Sequence, residues 1–322
     1  MTLTDAVDET ATKPERGTPR RSRGRFPRWL PYAFLAPAIV FELLVHVIPM
    51  LAGVYMSFMQ LNVFFLRRWL EAPFVGLGNY KFALDVHSGI GAGLLKSWGI
   101  TVGFTVLVVG FSWLLAIFGA TLLQRSFPGR GVLRTIFLVP YAIPLYAGTI
   151  VWKFILQRDD GMLNHLLTQL HVTDGRTFWL LGGNAFASIV IVQVWRLWPF
   201  ALLTLMAGMQ SITDELYEAA AVDGAGMWQQ FRRITLPMLR PVNQVLVLVL
   251  FLWTFNDFNV PYVLFANSVP PAADVITIHI YQGSFQTWNF GVGSAMSVLW
   301  LIFLLVISLG YLVVTTRRTH DA

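Results

Sequence analysis

The sequence predicts an all-α fold: a polytopic membrane helix bundle with six transmembrane helices. Three observations lead there. Only 12% of the 322 residues are charged and 56% are hydrophobic, whereas a soluble domain carries about 25% charged residues. Six apolar runs match the roughly 20 residues that a helix needs to cross the hydrocarbon of a bilayer. The basic residues, in net excess at +6, gather on alternate loops, as expected when loops alternate between the two sides of a membrane.

Residues 1–28 hold seven basic residues among Pro, Gly, Ser and Thr, the composition of a disordered cytoplasmic tail. The apolar run after it is too long for a signal peptide and lacks a small-residue cleavage site, so it reads as an uncleaved first span. The first helix and an outer loop occupy 29–98, and a core transmembrane domain occupies 99–322. The six runs are 32–58, 99–123, 135–156, 185–209, 242–265 and 291–314. Pro37 and Pro49 interrupt the first, Pro140 and Pro144 the third, and Pro261 the fifth. Such kinks require neighbouring helices to satisfy the freed backbone groups, hence a packed bundle. With both termini in the cytoplasm, fifteen basic residues fall inside and six (Arg67, Arg68, Lys81, Lys96, Arg158, Arg176) outside.

Several function classes drop out. There is no cysteine, which removes disulfides and thiolate chemistry. None of the four lysines follows a glycine, so the phosphate-cradling G-x-x-x-x-G-K-[ST] loop is absent. The six histidines show no metal-ligand spacing, no Ser-His-Asp set is evident, and the basic excess is that of cytoplasmic loops and not of a nucleic-acid surface. No catalytic residue, metal site or cofactor is assigned to this chain.

The largest inner loop, 210–241, is polar between two apolar spans. Thr213 suits a helix N-cap, and Asp214 and Glu215 suit the positive first turn. Leu216, Ala219 and Ala220 recur at helical spacing. Asp223-Gly224 stops the helix, because Gly accepts the left-handed conformation of a sharp exit. A second helix follows, with Met227, Phe231 and Ile234 on one face, until Pro237 and Pro241 break it. The small residues Ala219, Ala220, Ala221 and Gly224 leave room for another backbone to approach; alternatively the loop only connects two spans.

The order Glu218-Ala219-Ala220, three residues, Gly224, nine residues, then Ile234-x-Leu236-Pro237 resembles the hallmark of permease subunits of bacterial binding-protein-dependent ABC importers. "FLAPAIVFELLVHVIPMLAGVYMSF", "FVGLGNYKFAL" and "WTFNDFNVPYVLF" resemble the first span, outer loop and fifth span of the carbohydrate-uptake subfamily. The resemblance implies a type I ABC importer permease fold in the bacterial inner membrane. It implies a second, related permease subunit as heterodimer partner, two ATPase subunits that carry the ATP and Mg, and an extracytoplasmic sugar-binding protein. Glu218, Ala219, Ala220, Asp223, Gly224, Arg232, Ile234, Leu236 and Pro237 would then couple to an ATPase. The chain would be no enzyme itself, and its ligands would be membrane lipid and a sugar.

Polar residues inside spans need a partner or a cavity, since a charge at a helix centre costs about 2.5–3.5 kcal/mol on insertion scales. Glu42 and His46 lie four apart on one helix face and read as a local pair. Asn256, Asp257, Asn259 and Tyr262 cluster in the fifth run, where the resemblance places sugar contacts; Asp and Asn offer oriented acceptors and donors to hydroxyls. Arg196, flanked by Trp195 and Trp198, reads equally as pathway lining or as an Arg paired with Asp257 while the indoles fill helix interfaces. Trp29, Trp98 and Trp288 suit the aromatic belt at the bilayer surface. Rival readings are a permease for another solute, such as a polyol phosphate or an amino acid, and an ion-coupled transporter using Asp257 and Glu42.

The orientation has a direct test. A phosphatase reporter fused after residue 170 should be active outside the cell and one fused after residue 225 inactive; the reverse pattern overturns the assignment.

Overall fold

The computed structural model describes residues 29–124 and 126–320; the expected tail, 1–28, lies outside them. Secondary structure among the described residues is helical, with two isolated β-bridges and no strand. The chain divides into two units, 1–51 and 52–322.

In the first unit, α1 (Leu30–Glu42) contains Pro37 and runs into a π turn, Leu43–Val47. The Ile48 N–H reaches back five residues to the Leu43 carbonyl. That wider turn accommodates Pro49, which has no N–H to return to the preceding turn. The helix resumes as α2 (Ile48–Met56), so the first apolar run is one helical span, Tyr32–Met56. Glu42 Oε2 and His46 Nδ1 lie 3.2 Å apart, the local pair that the i, i+4 spacing predicts.

The second unit, which begins within α2, carries the outer segment: a 3₁₀ stretch, Val63–Glu71, and α3 (Gly78–Leu84). Asn79 is buried there and donates to the carbonyls of Ser57 (2.9 Å) and Met59 (2.8 Å), holding the segment closed. Next come α4 (Gly89–Gln124), α5 (Arg130–Ala142), α6 (Leu145–Ile155), α7 (Met162–Gln169) and α8 (Asn184–Met209). α4 and α8 form the central pair, burying Phe104, Val108, Ala116 and Ala120 against Ile189, Leu197, Leu202 and Leu205. Small residues allow it: a Cβ on Gly119 would lie 3.1 Å from Leu202 Cδ1. In lipid, where apolar burial drives little, close contact of this kind is what holds helices together.

The third apolar run is not one straight helix. α5 and α6 meet at 96°. Ile143 is extended (φ −76°, ψ 131°) in front of Pro144, the residue that initiates α6. A residue before proline is pushed out of the helical region, which places the break here. Pro140 stays inside α5, and Pro199 stays inside α8, without ending either helix.

The inner loop contains α9 (Asp214–Val222), α10 (Met227–Gln230), a π turn Phe231–Thr235 and the short α11 (Leu236–Met238). Pro237 does not break the helix where it stands, but the helix does end at Leu239, before Pro241 and the next span. Each sits in a first helical turn, of α11 and of α12 (Arg240–Phe255). The Leu236 N–H reaches the Phe231 carbonyl five residues back, so the π turn absorbs Pro237 as the earlier one absorbs Pro49. The fifth span does break, at 256–258, before α13 (Asn259–Phe265). α14 (Ile276–Tyr281), a π turn Gln282–Gln286 and the last span, α15 (Phe290–His320), complete the chain. Trp98 is half-buried. Its ring packs between helices, 5.0 Å from Phe303 and 6.3 Å from Trp300.

α8 and α12 approach closely at Gly208, where a Cβ would meet Leu239 Cδ2 at 2.9 Å and Val242 Cγ2 at 3.0 Å. Gly208→Val should therefore destabilise the chain by about 1–3 kcal/mol, the range for overpacking. The measurement is thermal unfolding of the detergent-solubilised protein. An unchanged midpoint would mean the two helices do not meet as described.

Candidate functional site

Two places bring functional side chains together: the corner of the inner loop and the break in the fifth span.

At the corner, Thr213 has the extended backbone of an N-cap, but its side chain makes no capping bond; the acidic first turn, Asp214 and Glu215, is present. α9 ends in a left-handed residue, Gly224 at φ +79°. The Ala225 N–H bonds the Ala220 carbonyl (2.9 Å) and the Gly224 N–H bonds that of Ala221 (3.0 Å). This pair of bonds is the Schellman closure that a glycine at that position allows. No atom lies within 4 Å of where a Gly224 Cβ would stand, so the corner is open on that side. Glu218, Ala219, Ala221, Asp223, Arg232 and Pro237 are exposed, and Ala220 is half-buried. Ile234 and Leu236 are half-buried, and Ile234 packs with Phe231 against the main core. Met227 is largely exposed.

The sequence reading missed two features of the corner. Leu216, Val222, Met227 and Trp228 are exposed around it, with Val222 at 87% and Trp228 at 70%. Large apolar side chains exposed together on a polar loop mark a contact surface. The second feature is a strut. The Tyr217 hydroxyl lies 2.9 Å from Thr235 Oγ1, and Thr235 is buried. It joins α9 to the π turn that feeds into α12. Nothing in the local spacing announces a bond across eighteen residues.

At the break, Pro261 has no N–H to offer the carbonyl four residues earlier, which belongs to Asp257. Thr277 Oγ1 donates to that carbonyl instead, at 2.8 Å. The Asp257 carboxylate is buried; Oδ2 accepts the Val260 N–H at 3.2 Å, and Oδ1 faces Arg196 Nη1 at 3.6 Å. Arg196 is thus paired with Asp257, one of the two arrangements that the sequence leaves open. Trp195 meets Trp152 edge-on at 5.8 Å and Trp198 meets Phe137 edge-on at 5.2 Å, so both indoles lie at helix interfaces.

The four polar residues of the fifth run face different neighbours. Asn256 accepts from Trp300 Nε1 at 3.2 Å, on α15. Asn259 accepts from the Tyr146 hydroxyl at 2.9 Å, on α6. The Tyr262 ring stacks on Phe258 at 4.8 Å and meets Tyr281 edge-on at 5.4 Å, on α14. The break is therefore a junction of five elements and not a single polar pocket. Asn256 is exposed, and Asn259 and Tyr262 are half-buried, so these three stay within reach of a ligand.

A bundle of apolar helices with two proline-broken spans, a polar junction and a glycine corner on an inner loop defines a membrane permease. Residues 111–320 match the family described as binding-protein-dependent transport system inner membrane component, and the chain belongs to that family. It is 32% identical over 290 residues to the trehalose/maltose transport system permease protein MalF of Thermococcus litoralis, covering 90% of this chain and 94% of that one. It is 28% identical over 319 residues to the sulfoquinovosyl glycerol transport system permease protein SmoG of Agrobacterium fabrum, covering 96% and 100%. A chain of a bacterial ABC transporter involved in import of the acidic polysaccharide alginate superposes with a TM-score of 0.77 at 24% identity, over 90% of this chain and 96% of that one. The fold is that of a type I ABC importer permease.

Asp257→Asn keeps an acceptor for Val260 but removes the charge facing Arg196. Transport by the assembled complex should fall about tenfold, equivalent to about 1.4 kcal/mol. Uptake in cells and assembly by co-purification are measured together; full uptake with normal assembly would confine Asp257 to a structural role.

Proposed function

We propose that this chain forms half of the translocation pathway of an ATP-driven sugar importer of the bacterial inner membrane, with both termini in the cytoplasm. A second, related permease subunit supplies the other half, and an extracytoplasmic binding protein delivers the sugar. Two ATPase subunits bind ATP and Mg; this chain carries no nucleotide loop and is not itself an enzyme. The observation that carries the reading is the open, left-handed corner at Gly224 with its exposed apolar rim, on the loop with the Glu-Ala-Ala…Gly pattern. The sugar class is supported by the relatives named for trehalose/maltose and sulfoquinovosyl glycerol transport.

In this reading the ATPase grips the corner through Glu218, Ala219, Ala220, Asp223 and Gly224, and through the apolar rim. Closure of the ATPase pair displaces α9. The Tyr217–Thr235 strut and the packed Ile234 pass the displacement to the π turn and α12. The far end of α12 is the junction at Asn256 and Asp257, whose neighbours α6, α8, α14 and α15 respond together. Such a change is a rigid-body switch between two packings. The amides of Asn256 and Asn259 and the ring of Tyr262 supply hydrogen bonds and an apolar face to a sugar.

The test uses the corner. Gly224→Val imposes a β-branched side chain on a left-handed residue, a strain of about 1–2 kcal/mol, and puts bulk where the partner approaches. Glu218→Lys reverses an exposed charge. Both variants should insert normally and lose either ATPase co-purification or sugar-stimulated hydrolysis in proteoliposomes containing binding protein. Wild-type coupling in both would reduce the loop to a connector.

A further inference from the structure

The end of the bundle where α5 begins and α8 finishes carries a feature that neither the corner nor the junction uses. A cavity of about 230 Å³ lies between the two helices. Leu138 of α5 and Leu202, Leu203 and Met206 of α8 give it an apolar wall, and Arg134 and Gln210 also line it. Arg130 lies four residues before Arg134 on the same helix, hence on the same face. Both arginines are half-buried. Among the described residues, the Nε of each is enclosed without a hydrogen-bond partner. Neither forms an ion pair with a carboxylate among the described residues.

An enclosed donor of a charged group without an acceptor is strongly unfavourable, so an acceptor arriving from outside the chain is favoured. Guanidinium forks suit the oxygens of a phosphate. Inorganic phosphate would leave the apolar wall unused, whereas an amphiphile satisfies both parts. We propose that this groove binds an anionic phospholipid, its phosphate on Arg130 and Arg134 and an acyl chain along Leu138, Leu202, Leu203 and Met206. Basic pockets between membrane helices on the cytoplasmic side bind anionic headgroups in this way. The leaflet is the cytoplasmic one on the orientation proposed above; lipid binding itself depends neither on that orientation nor on the sugar.

The experiment is native mass spectrometry of the full-length protein in its assembled complex, titrated with phosphatidylglycerol, with phosphatidylethanolamine of the same acyl chains, and with inorganic phosphate. Phosphatidylglycerol should be retained about tenfold more strongly than phosphatidylethanolamine. Arg130→Gln/Arg134→Gln should abolish that preference, and Arg233→Gln/Arg240→Gln, an equal loss of charge on the inner loop, should leave it intact. Should the first variant fail to assemble, Leu203→Trp fills the groove without touching the charge, and a photoactivatable phosphatidylglycerol should crosslink the wild-type chain near Leu138 and Leu203. An unchanged preference in both groove variants overturns the proposal. So does complete displacement of the lipid by inorganic phosphate, or crosslinking at these leucines to a second permease subunit in place of lipid.

Discussion

A membrane helix has no water with which to replace a missing backbone hydrogen bond, and the fifth span is organised around one such gap. Pro261 leaves the Asp257 carbonyl without its helical donor, and Thr277 on α14 supplies one. Once the helix is open there, the other polar groups of the break need partners too, because each unsatisfied group in hydrocarbon costs several kcal/mol. Asn256 meets Trp300, Asn259 meets Tyr146 and Asp257 meets Arg196. The break thus gathers α6, α8, α14 and α15 at one point. Polar satisfaction fixes the arrangement, where apolar contact alone would let the helices slide.

The same device, used differently, appears on the inner loop. There Pro237 is absorbed by a π turn, and α12 begins after a one-residue turn at Leu239. The loop is therefore stiffly joined to the fifth span: α9 is held to the π turn by Tyr217 and Thr235, and α12 leads on from it. At the corner Gly224 is left-handed and faces open space. A rigid lever with an exposed tip suits a part that transmits force from one protein to another.

The spans were legible because hydropathy reads the one constraint that lipid imposes. The boundaries were not, where helices continue past the hydrocarbon: α4 starts at Gly89 and not at 99, since the first turns include Lys96 and several glycines. Proline positions marked three irregular spans, yet not what each proline does. Pro144 and Pro261 open a helix, Pro140 and Pro199 are carried within one, and Pro49 and Pro237 widen a turn. That depends on which neighbour can supply a donor, which is tertiary information. Gly224 was legible from Asp-Gly after a helical pattern. Trp228 was not, since an exposed indole and a buried one look alike in sequence. The residues of the Asn256–Tyr262 cluster are close in sequence, but a broken helix sends neighbouring side chains in different directions.

The central claim is that the break in the fifth span opens onto the solute's path and responds to events at the inner corner. The chain has no cysteine, so Asn259→Cys introduces a single thiol at the junction. Its labelling by a membrane-impermeant maleimide can be followed in proteoliposomes holding the assembled importer. The account predicts that labelling changes severalfold when ATP and sugar-loaded binding protein are added together, and that sugar protects the thiol in the ATP-bound state. Labelling that is indifferent to both ATP and sugar would contradict it.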